Sequence, residues 1–184
     1  MTIWNDKQTA IIEATSRLIV TQGVESTSLG DIAKAVGISK GTLYYYYASK
    51  ADLIFDVTEY HFSQVTQGLL SWVGTVKDVS DSREIFKTVL ETILRAQTRA
   101  RLHIYLLQST MQDDERLRTR FQEKYHEWQA MIREGLNALF GERSENAALA
   151  ALVLAALDGF VIQSYLGIEP IPVEEVTGWL ASKV

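Results

Sequence analysis

Cysteine is absent from this 184-residue chain, and proline occurs only at positions 170 and 172. The lack of cysteine excludes disulfide bonds and thiolate chemistry and fits a reducing cytoplasm. With so little proline, nearly everything before residue 170 can be helical. The N-terminus has no basic stretch followed by an apolar one, and the longest apolar run, 147–157, is too short to cross a bilayer. We therefore expect a soluble, cytoplasmic, all-helical protein that does not bind a membrane.

Residues that commonly carry out catalysis are also sparse. The three histidines, His61, His103 and His126, are distributed over three predicted helices, without the H-x-x-x-H spacing that holds a metal ion. Neither G-x-S-x-G nor G-x-G-x-x-G occurs in the sequence. These absences predict a protein that is not an enzyme and that holds no metal or cofactor. A site assembled in space, for instance from His61, His103 and Asp158, is the alternative.

Positive charge is scarce and unevenly distributed. The chain has 18 Lys and Arg against 23 Asp and Glu, a net charge of −5, which is not the basic balance of many nucleic-acid-binding proteins. Residues 1–52 contain five residues of each sign, so the negative charge lies in the remainder. Lys34, Lys40 and Lys50 all belong to this neutral segment. Any binding to DNA would then rest on a few local phosphate contacts.

Apolar periodicity and turn residues predict nine helices in two domains. The N-terminal domain, residues 1–48, holds three of them, and residues 49–184 form a helical bundle. The predicted helices cover about 5–22, 28–35, 39–46, 49–72, 82–98, 101–111, 114–140, 144–166 and 172–182.

Two of these helices are short and joined by a tight turn. Over 29–36 the apolar residues follow one helical face. Ser28 and Asp31 have the spacing of a capping box, which satisfies the first amides of a helix. Gly37 follows the last periodic residue, where a left-handed C-cap favours glycine, and Ser39 can cap the next helix. This is the pattern of a helix-turn-helix, which places its second helix in the major groove of DNA.

The outward side of the second helix favours DNA binding over an ordinary helical corner. Lys40, Thr42 and Tyr45 lie outward or on its flanks, and 39–50 contains no acidic residue. Hydroxyl and amine groups bind base edges and phosphates, and apolar atoms contact thymine methyl groups. We expect Thr42 and Tyr45 to reach the bases, and Lys50 and Tyr44 to hold phosphates with the first residues of the preceding helix. The complete candidate set is Thr27, Ser28, Lys40, Gly41, Thr42, Tyr44, Tyr45, Tyr46 and Lys50.

These features resemble the N-terminal domain of the TetR family of bacterial transcriptional regulators, over residues 7–60. The matching segments are an amphipathic first helix, Gly23-Val24, Thr27-Ser28-Leu29, Ile32-Ala33-Lys34-Ala35-Val36-Gly37-Ile38-Ser39, Lys40-Gly41-Thr42-Leu43-Tyr44-Tyr45-Tyr46-Tyr47 and Ser49-Lys50-Ala51-Asp52-Leu53. The family commonly has His and Phe where this chain has Tyr46 and Tyr47. Tyr46 can still donate to a phosphate, and we expect the ring of Tyr47 to point inward with its hydroxyl at the domain edge.

The resemblance implies a ligand-responsive regulator, most often a repressor that a small molecule releases from a near-palindromic operator. The effector would sit among helices 4 to 8 and move helix 4. Because such sites are mostly apolar with a few polar groups, we expect them to be lined by aromatic, histidine and glutamine side chains. The candidates, each of which could instead serve plain packing, are His61, Phe62, His103, Tyr105, Gln108, Tyr125, Trp128, Gln129, Phe160 and Gln163. The effector itself stays unidentified.

The eighth predicted helix has no polar face over 147–157. A helix that is apolar all round must be covered on every side, by its own subunit or by a second copy. The resemblance implies dimerisation through the last two long helices, and the predicted interface contains Leu152, Ala156, Phe160 and Trp179. A central core helix of a monomer is the alternative. At the level of function, the alternative is a small-molecule-binding bundle without operator recognition.

Overall fold

The computed structural model describes residues 4–73, 75, 82–95, 97–110, 115–168 and 170–184. These residues form helices and connecting turns and contain no strand, which confirms the all-α prediction. The helices are α1 (Asp6–Gln22), α2 (Leu29–Val36), α3 (Lys40–Tyr46), α4 (Lys50–Val73), α5 (Ser82–Leu94), α6 (Gln97–Thr110), α7 (Glu115–Phe140), α8 (Asn146–Tyr165) and α9 (Val173–Ala181).

The boundary between α5 and α6 is the helix boundary that lies furthest from its predicted position. The fifth helix was predicted to extend to residue 98, whereas α5 ends at Leu94 and α6 begins at Gln97. No glycine or proline lies in 93–98, so the usual turn signals are missing there. The loop predicted after α4 lies outside the described residues, apart from Thr75 and the start of α5 at Ser82.

The first of two compact units contains residues 1–64 and 101–118. Its core is built by aliphatic side chains from α1 to α4 and from the segment 101–118. The large aliphatic members that are fully or almost fully buried are Ile11, Ile12, Ile32, Leu43, Leu53, Ile54, Val57, Leu102, Leu106 and Leu117. Burial of each such side chain contributes about 1.5–3 kcal/mol. The compact unit therefore takes in the first part of α4, and the functional boundary at residues 48 and 49 stays a prediction.

The second unit contains residues 65–100 and 119–184. Its core joins α5, α7, α8 and α9 through Phe86, Leu90, Leu136, Leu149, Ala150, Val153, Leu157 and Leu180. Glu174 of α9 also pairs with Arg83 at 2.7 Å and with Lys87, both on α5. Apolar burial and surface ion pairs thus hold α9 against α5.

The helix α8 is apolar along almost its whole length. Among the helices of the described residues, α8 is the one that is long and apolar enough to cross a membrane. In its most apolar stretch, 28% of the residues are buried. The uninterrupted apolar run 147–157 is shorter than the helix that contains it, because α8 continues to Tyr165 with Asp158 as its single charged residue. The length of the run therefore underestimates the length of the apolar helix. Core helices of globular proteins can have the same composition, so this property does not make α8 a membrane helix.

Candidate nucleic-acid interface and effector region

Local hydrogen bonds set the ends of α2. The Asp31 amide donates to Ser28 Oγ at 3.1 Å, and the Ser28 amide donates to the Asp31 carboxylate at 3.0 Å. The hydrogen bonds from Ser28 lower the pKa of Asp31. At the other end, Gly37 adopts φ 72°, and the amide of Ile38 donates to Ala33 O at 2.9 Å. The predicted capping box and left-handed C-cap are both present.

The turn into α3 completes a helix-turn-helix. Ser39 caps α3, because its hydroxyl oxygen accepts from the Thr42 amide at 3.0 Å. Leu43 is fully buried and anchors α3 to the core of the first unit. A buried side chain at the centre of so short a helix fixes which residues face outward.

The outward face of α3 is polar and aromatic. Tyr44 and Tyr45 are 54% and 85% exposed. Tyr46 is half-buried and meets Tyr45 edge-on, with ring centroids 5.3 Å apart. Lys40, Gly41 and Thr42 are exposed as well, as predicted for residues that contact DNA.

Lys40 reaches across the start of α2. A Cβ atom added at Gly30 would lie 2.9 Å from Lys40 Cε and 3.3 Å from its Nζ. The ammonium group is therefore beside the first turn of α2, where amides without a helical acceptor favour anions. Gly30 is not among the residues predicted to contact DNA, and the signal that could have identified it is a glycine in the first turn of a predicted helix.

Thr27 and Ser28, the predicted phosphate contacts at the start of α2, form local hydrogen bonds. Thr27 is fully buried, its hydroxyl donates to Gly23 O at 2.7 Å, and its amide donates to Val24 O. The amide of Ser28 is used by the capping box. Thr27 therefore uses its side chain and its amide within the turn before α2, and its contact with a phosphate stays a prediction. The amides of Leu29 and Gly30 are better placed to meet a phosphate.

Lys50 is half-buried at the first position of α4. Its Nζ donates to Glu25 O at 3.4 Å and lies 5.6 Å from the centroid of the Tyr105 ring. The predicted phosphate-binding ammonium is thus already held between the α1–α2 turn and α6.

Tyr47 is also connected to α4. Its ring is buried, as predicted, but its hydroxyl donates to Asp56 Oδ2 at 3.2 Å instead of lying at the domain edge. The same oxygen accepts from Trp4 Nε1 at 3.1 Å. Asp56 therefore joins the segment before α1, the end of α3 and the middle of α4.

The candidate effector residues divide between the two units. Those in the first unit are His61, Phe62, His103, Tyr105 and Gln108. The Nε2 of His61 lies 2.9 Å from Ser16 Oγ, which itself donates to Ile12 O, so Ser16 accepts from the imidazole. His103 is buried, whereas Gln108 is exposed. The contact with Ser16 gives His61 a packing role against α1.

In the second unit, Tyr125 and Trp128 come together, with ring centroids 5.1 Å apart. The Tyr125 hydroxyl donates to Asp158 at 2.9 Å. Burial, followed by the neighbouring Asp158 carboxylate, raises the pKa of Tyr125 far above its ordinary value. Gln129, Gln163 and Phe160 are half-buried, and Phe160 packs against the core of this unit.

The predicted dimer residues do not all lie on one surface. Leu152 and Trp179 are 55% and 52% exposed, but Ala156 is half-buried and Phe160 contacts its own core. The exposed row on α8 is displaced by one residue from the predicted one. It consists of Ala148, Leu152, Ala155 and Ile162, and it continues to Leu166 just beyond the helix. The predicted interface at Leu152, Ala156, Phe160 and Trp179 stays a prediction.

A metal site does not emerge from the described residues. Within them, no group of three or more His, Cys, Asp or Glu side chains could hold a metal ion. His61 and His103 lie in the first unit and Asp158 in the second.

Two protein-family models match this chain. The model described as bacterial regulatory proteins of the tetR family matches residues 11–57. A second model, described as the C-terminal part of BetI-type transcriptional repressors, matches residues 80–184, more than half of the chain.

Curated relatives match less than half of this chain. The HTH-type transcriptional regulator AcrR of Shigella flexneri is 35% identical over 91 residues, which are 48% of this chain and 42% of AcrR. The repressor KstR2 of Mycobacterium tuberculosis is 27% identical over 79 residues, 42% of this chain and 36% of KstR2. The match thus spans less than half the length of these relatives.

Solved structures resemble nearly the whole chain in fold. The fatty acid degradation regulator FadR of Bacillus halodurans has a TM-score of 0.65 at 18% identity, covering 98% of this chain and 95% of FadR. A regulator from Saccharomonospora viridis, in complex with choline, has a TM-score of 0.68 at 20% identity, covering 95% and 93%. At these identities the likeness shows the fold. The two family models, one of which covers more than half of the chain, show that this chain belongs to the TetR family of bacterial transcriptional regulators.

Proposed function

We propose that this chain is a homodimeric repressor that acts in the cytoplasm, binds a near-palindromic DNA operator through α3, and leaves it when a small molecule binds. The observation that carries the proposal is the exposed, acid-free surface of α3, with Tyr45 at its most exposed point. Relatives named as HTH-type regulators and repressors support the same reading.

Thr42 and Tyr45 are the proposed base contacts. Hydroxyl groups can donate to or accept from base edges, and a tyrosine ring can pack against a thymine methyl group. Lys40, Lys50, Tyr44 and Tyr46 would contact phosphates, together with the amides at the start of α2. These contacts orient α3 in the groove without reading sequence.

Changing Tyr45 and Lys50 separates the two kinds of contact. Tyr45→Ala should reduce the preference for operator over mixed-sequence DNA, whereas Lys50→Ala should weaken both and lower the salt slope by about one. Arg133→Ala removes one positive charge from an exposed position on α7 and is the control for the change in net charge. The operator probe is the segment upstream of the chain's own gene that footprinting protects. A Tyr45→Ala variant that keeps full operator preference would contradict the base contact.

The exposed row on α8 supports the dimer. A second copy would cover Leu152 and its neighbours and place two α3 helices on half-sites about 34–36 Å apart. If footprinting shows only salt-sensitive binding without a protected palindrome, the alternative of a ligand-binding bundle without operator recognition is favoured.

An organic cation is the effector class that we propose first. Tyr125, Trp128 and Asp158 combine aromatic faces with a carboxylate, and this chemistry attracts alkylammonium groups. The regulator from S. viridis contains choline, which agrees with this class.

Choline and its neutral isostere 3,3-dimethylbutan-1-ol make a matched pair of probes. At 100 times its Kd a ligand that binds only the native state adds about 2.7 kcal/mol to stability. We expect choline, but not the neutral alcohol, to raise the melting temperature, and Asp158→Asn to remove the difference. Equal shifts with both compounds would argue against a cationic effector.

A further inference from the structure

Lys50 is held by parts of the chain that are distant in sequence. Its ammonium lies 5.6 Å from the centroid of the Tyr105 ring on α6 and donates to the Glu25 carbonyl at 3.4 Å. All three residues belong to the first unit. Asp52, in the first turn of α4, is engaged elsewhere, since Ser49 donates to it at 3.0 Å and Arg116 lies 3.9 Å away.

The described contacts of Lys50 orient its ammonium group without using all of its hydrogen-bond donors. An ammonium group has three donors, and the described contacts are one carbonyl and one ring face. Lysine has a long, flexible stem, so a free side chain would lose conformational freedom on binding a phosphate. A side chain that is already held in place loses less.

We propose that Tyr105 is a positioning residue for DNA binding, whose ring holds the ammonium group of Lys50 where it meets a DNA phosphate. This inference rests on the proposed function, because it takes Lys50 as a phosphate contact. It gives Tyr105 a role different from the effector lining predicted from the sequence.

The surroundings of Tyr105 suit this role. The ring is half-buried, and Leu102 and Leu106 on either side of it along α6 are almost fully buried, which fixes the helix. Burial, with the negative charge of Glu25, raises the pKa of Tyr105. The phenol therefore stays neutral at neutral pH, so that the ring face, not a phenolate, meets the ammonium.

A double-mutant cycle on Lys50 and Tyr105 tests the proposal. Binding of the full chain to a labelled mixed-sequence duplex is measured by fluorescence anisotropy over a range of salt concentrations. We expect Tyr105→Leu to weaken binding about two- to tenfold, the cost of ordering one flexible side chain on binding, and Tyr105→Phe to leave it unchanged. In the Lys50→Ala background, Tyr105→Leu should have no further effect.

Fluorinated phenylalanines at position 105 provide a second test that preserves shape. Increasing fluorination removes the negative ring face with little change in volume, so affinity should fall stepwise while the melting temperature stays near that of Tyr105→Phe. This series replaces Tyr105→Leu if that variant does not fold.

Three results would overturn the proposal. One is an effect of Tyr105→Leu that is equal with and without Lys50, which would show that the ring acts through the fold. Another is tighter binding by Tyr105→Leu, which would show that the ring holds Lys50 away from DNA. The third is no dependence on ring fluorination. If instead Lys50→Ala itself changes neither affinity nor salt slope, the phosphate contact in the proposed function fails, independently of Tyr105.

Discussion

At the scale of single residues, the absence of a side chain at Gly30 leaves space for the side chain of Lys40. A methyl group at this position would occupy the space of Lys40 Cε and push the flexible lysine aside. Gly135, in the middle of α7, has no described atom within 4 Å of an added Cβ. The two glycines therefore form a matched pair, one beside the proposed DNA contact and one away from it.

We expect Gly30→Ala to weaken DNA binding without destabilising the fold, because the displaced Lys40 loses its place beside the first amides of α2. Gly135→Ala should stabilise the protein by about 0.5–1 kcal/mol and leave DNA binding unchanged. Thermal unfolding and anisotropy titrations measure the two quantities. Equal affinity of Gly30→Ala and wild type would show that the position of Lys40 is unimportant.

The Tyr47 hydroxyl is the second residue-scale feature. Tyr47→Phe removes one of the donors to Asp56 and should lower the free energy of unfolding by about 1.5–3 kcal/mol, the usual value for a hydrogen bond to a charged group. Tyr165→Phe removes a hydroxyl from an exposed tyrosine and should have almost no effect. Urea unfolding compares the variants, and coincident curves for all three proteins would contradict the contribution of this bond.

At the scale of elements, α8 presents one apolar face to its own core and another to the outside. The exposed row that contains Leu152 and Ala155 follows a single helical face, and Trp179 of α9 is exposed as well. An exposed apolar row on a helix that already packs on its other side is typical of a surface that a second chain covers.

We expect Ala155→Glu to dissociate the proposed dimer, since it would bury an unpaired charge at a cost of several kcal/mol. Ala147→Glu, which is exposed but lies outside the row, should leave the dimer intact. Sedimentation at micromolar concentration distinguishes the two. A wild-type monomer under these conditions would show that α8 is not an interface.

The pairing of α5 with α9 predicts a dependence on pH. The hydrogen bond from Lys87 is the main cause that lowers the pKa of Glu174, and the hydrogen bond to Glu174 raises that of Lys87. A depressed carboxyl pKa stabilises the fold above the unfolded value and loses this effect as pH falls through the folded one. A raised lysine pKa stabilises below its unfolded value and loses the effect at high pH.

Glu174→Gln should therefore lower the melting temperature slightly near neutral pH, because exposed ion pairs contribute little. The difference from wild type should shrink as pH falls below the ordinary value of 4.5 and again as it rises above 10.5. Thermal melts across pH check this. A constant difference at every pH would indicate a packing effect in place of the ion pairs.

At the scale of the whole molecule, the two units share helices. Lys50–Gln64 of α4 belong to the first unit and Val65–Val73 to the second, and α6 and α7 also contribute residues to both. A ligand that favours an arrangement of α4 in which DNA binds less well must lower operator affinity by the same factor by which DNA lowers ligand affinity.

This reciprocity gives the whole-molecule prediction. To shift the ratio of DNA-competent to DNA-incompetent protein from 99:1 to 1:99, the effector must bind the incompetent state more strongly by about 5.5 kcal/mol. Two effector molecules, one on each subunit, can share this free energy. Operator titrations at increasing effector and effector titrations at increasing operator should give the same coupling factor. A ligand that binds tightly but leaves operator affinity unchanged at saturation would show that it does not act through α4.

The sequence alone determined the features that depend on neighbours a few residues apart. The capping box at Ser28 and Asp31 and the C-cap at Gly37 join atoms within one or two turns, so their residue types and spacing were enough to predict α2, α3 and the turn between them. Most helices of the described residues and the outward side of α3 were predicted from apolar periodicity in the same way.

Tertiary structure decided which distant side chains meet. The bond from Trp4 to Asp56 spans 52 residues, and the contact of Lys50 with Tyr105 joins α4 to α6; neither has a local pattern. The outward row of α8 also required the fold, because a helix that is apolar on all sides has no sequence periodicity to mark its exposed face. Packing against α5 and α7 chose that face, and so made Ala155, not Ala156, part of the exposed surface.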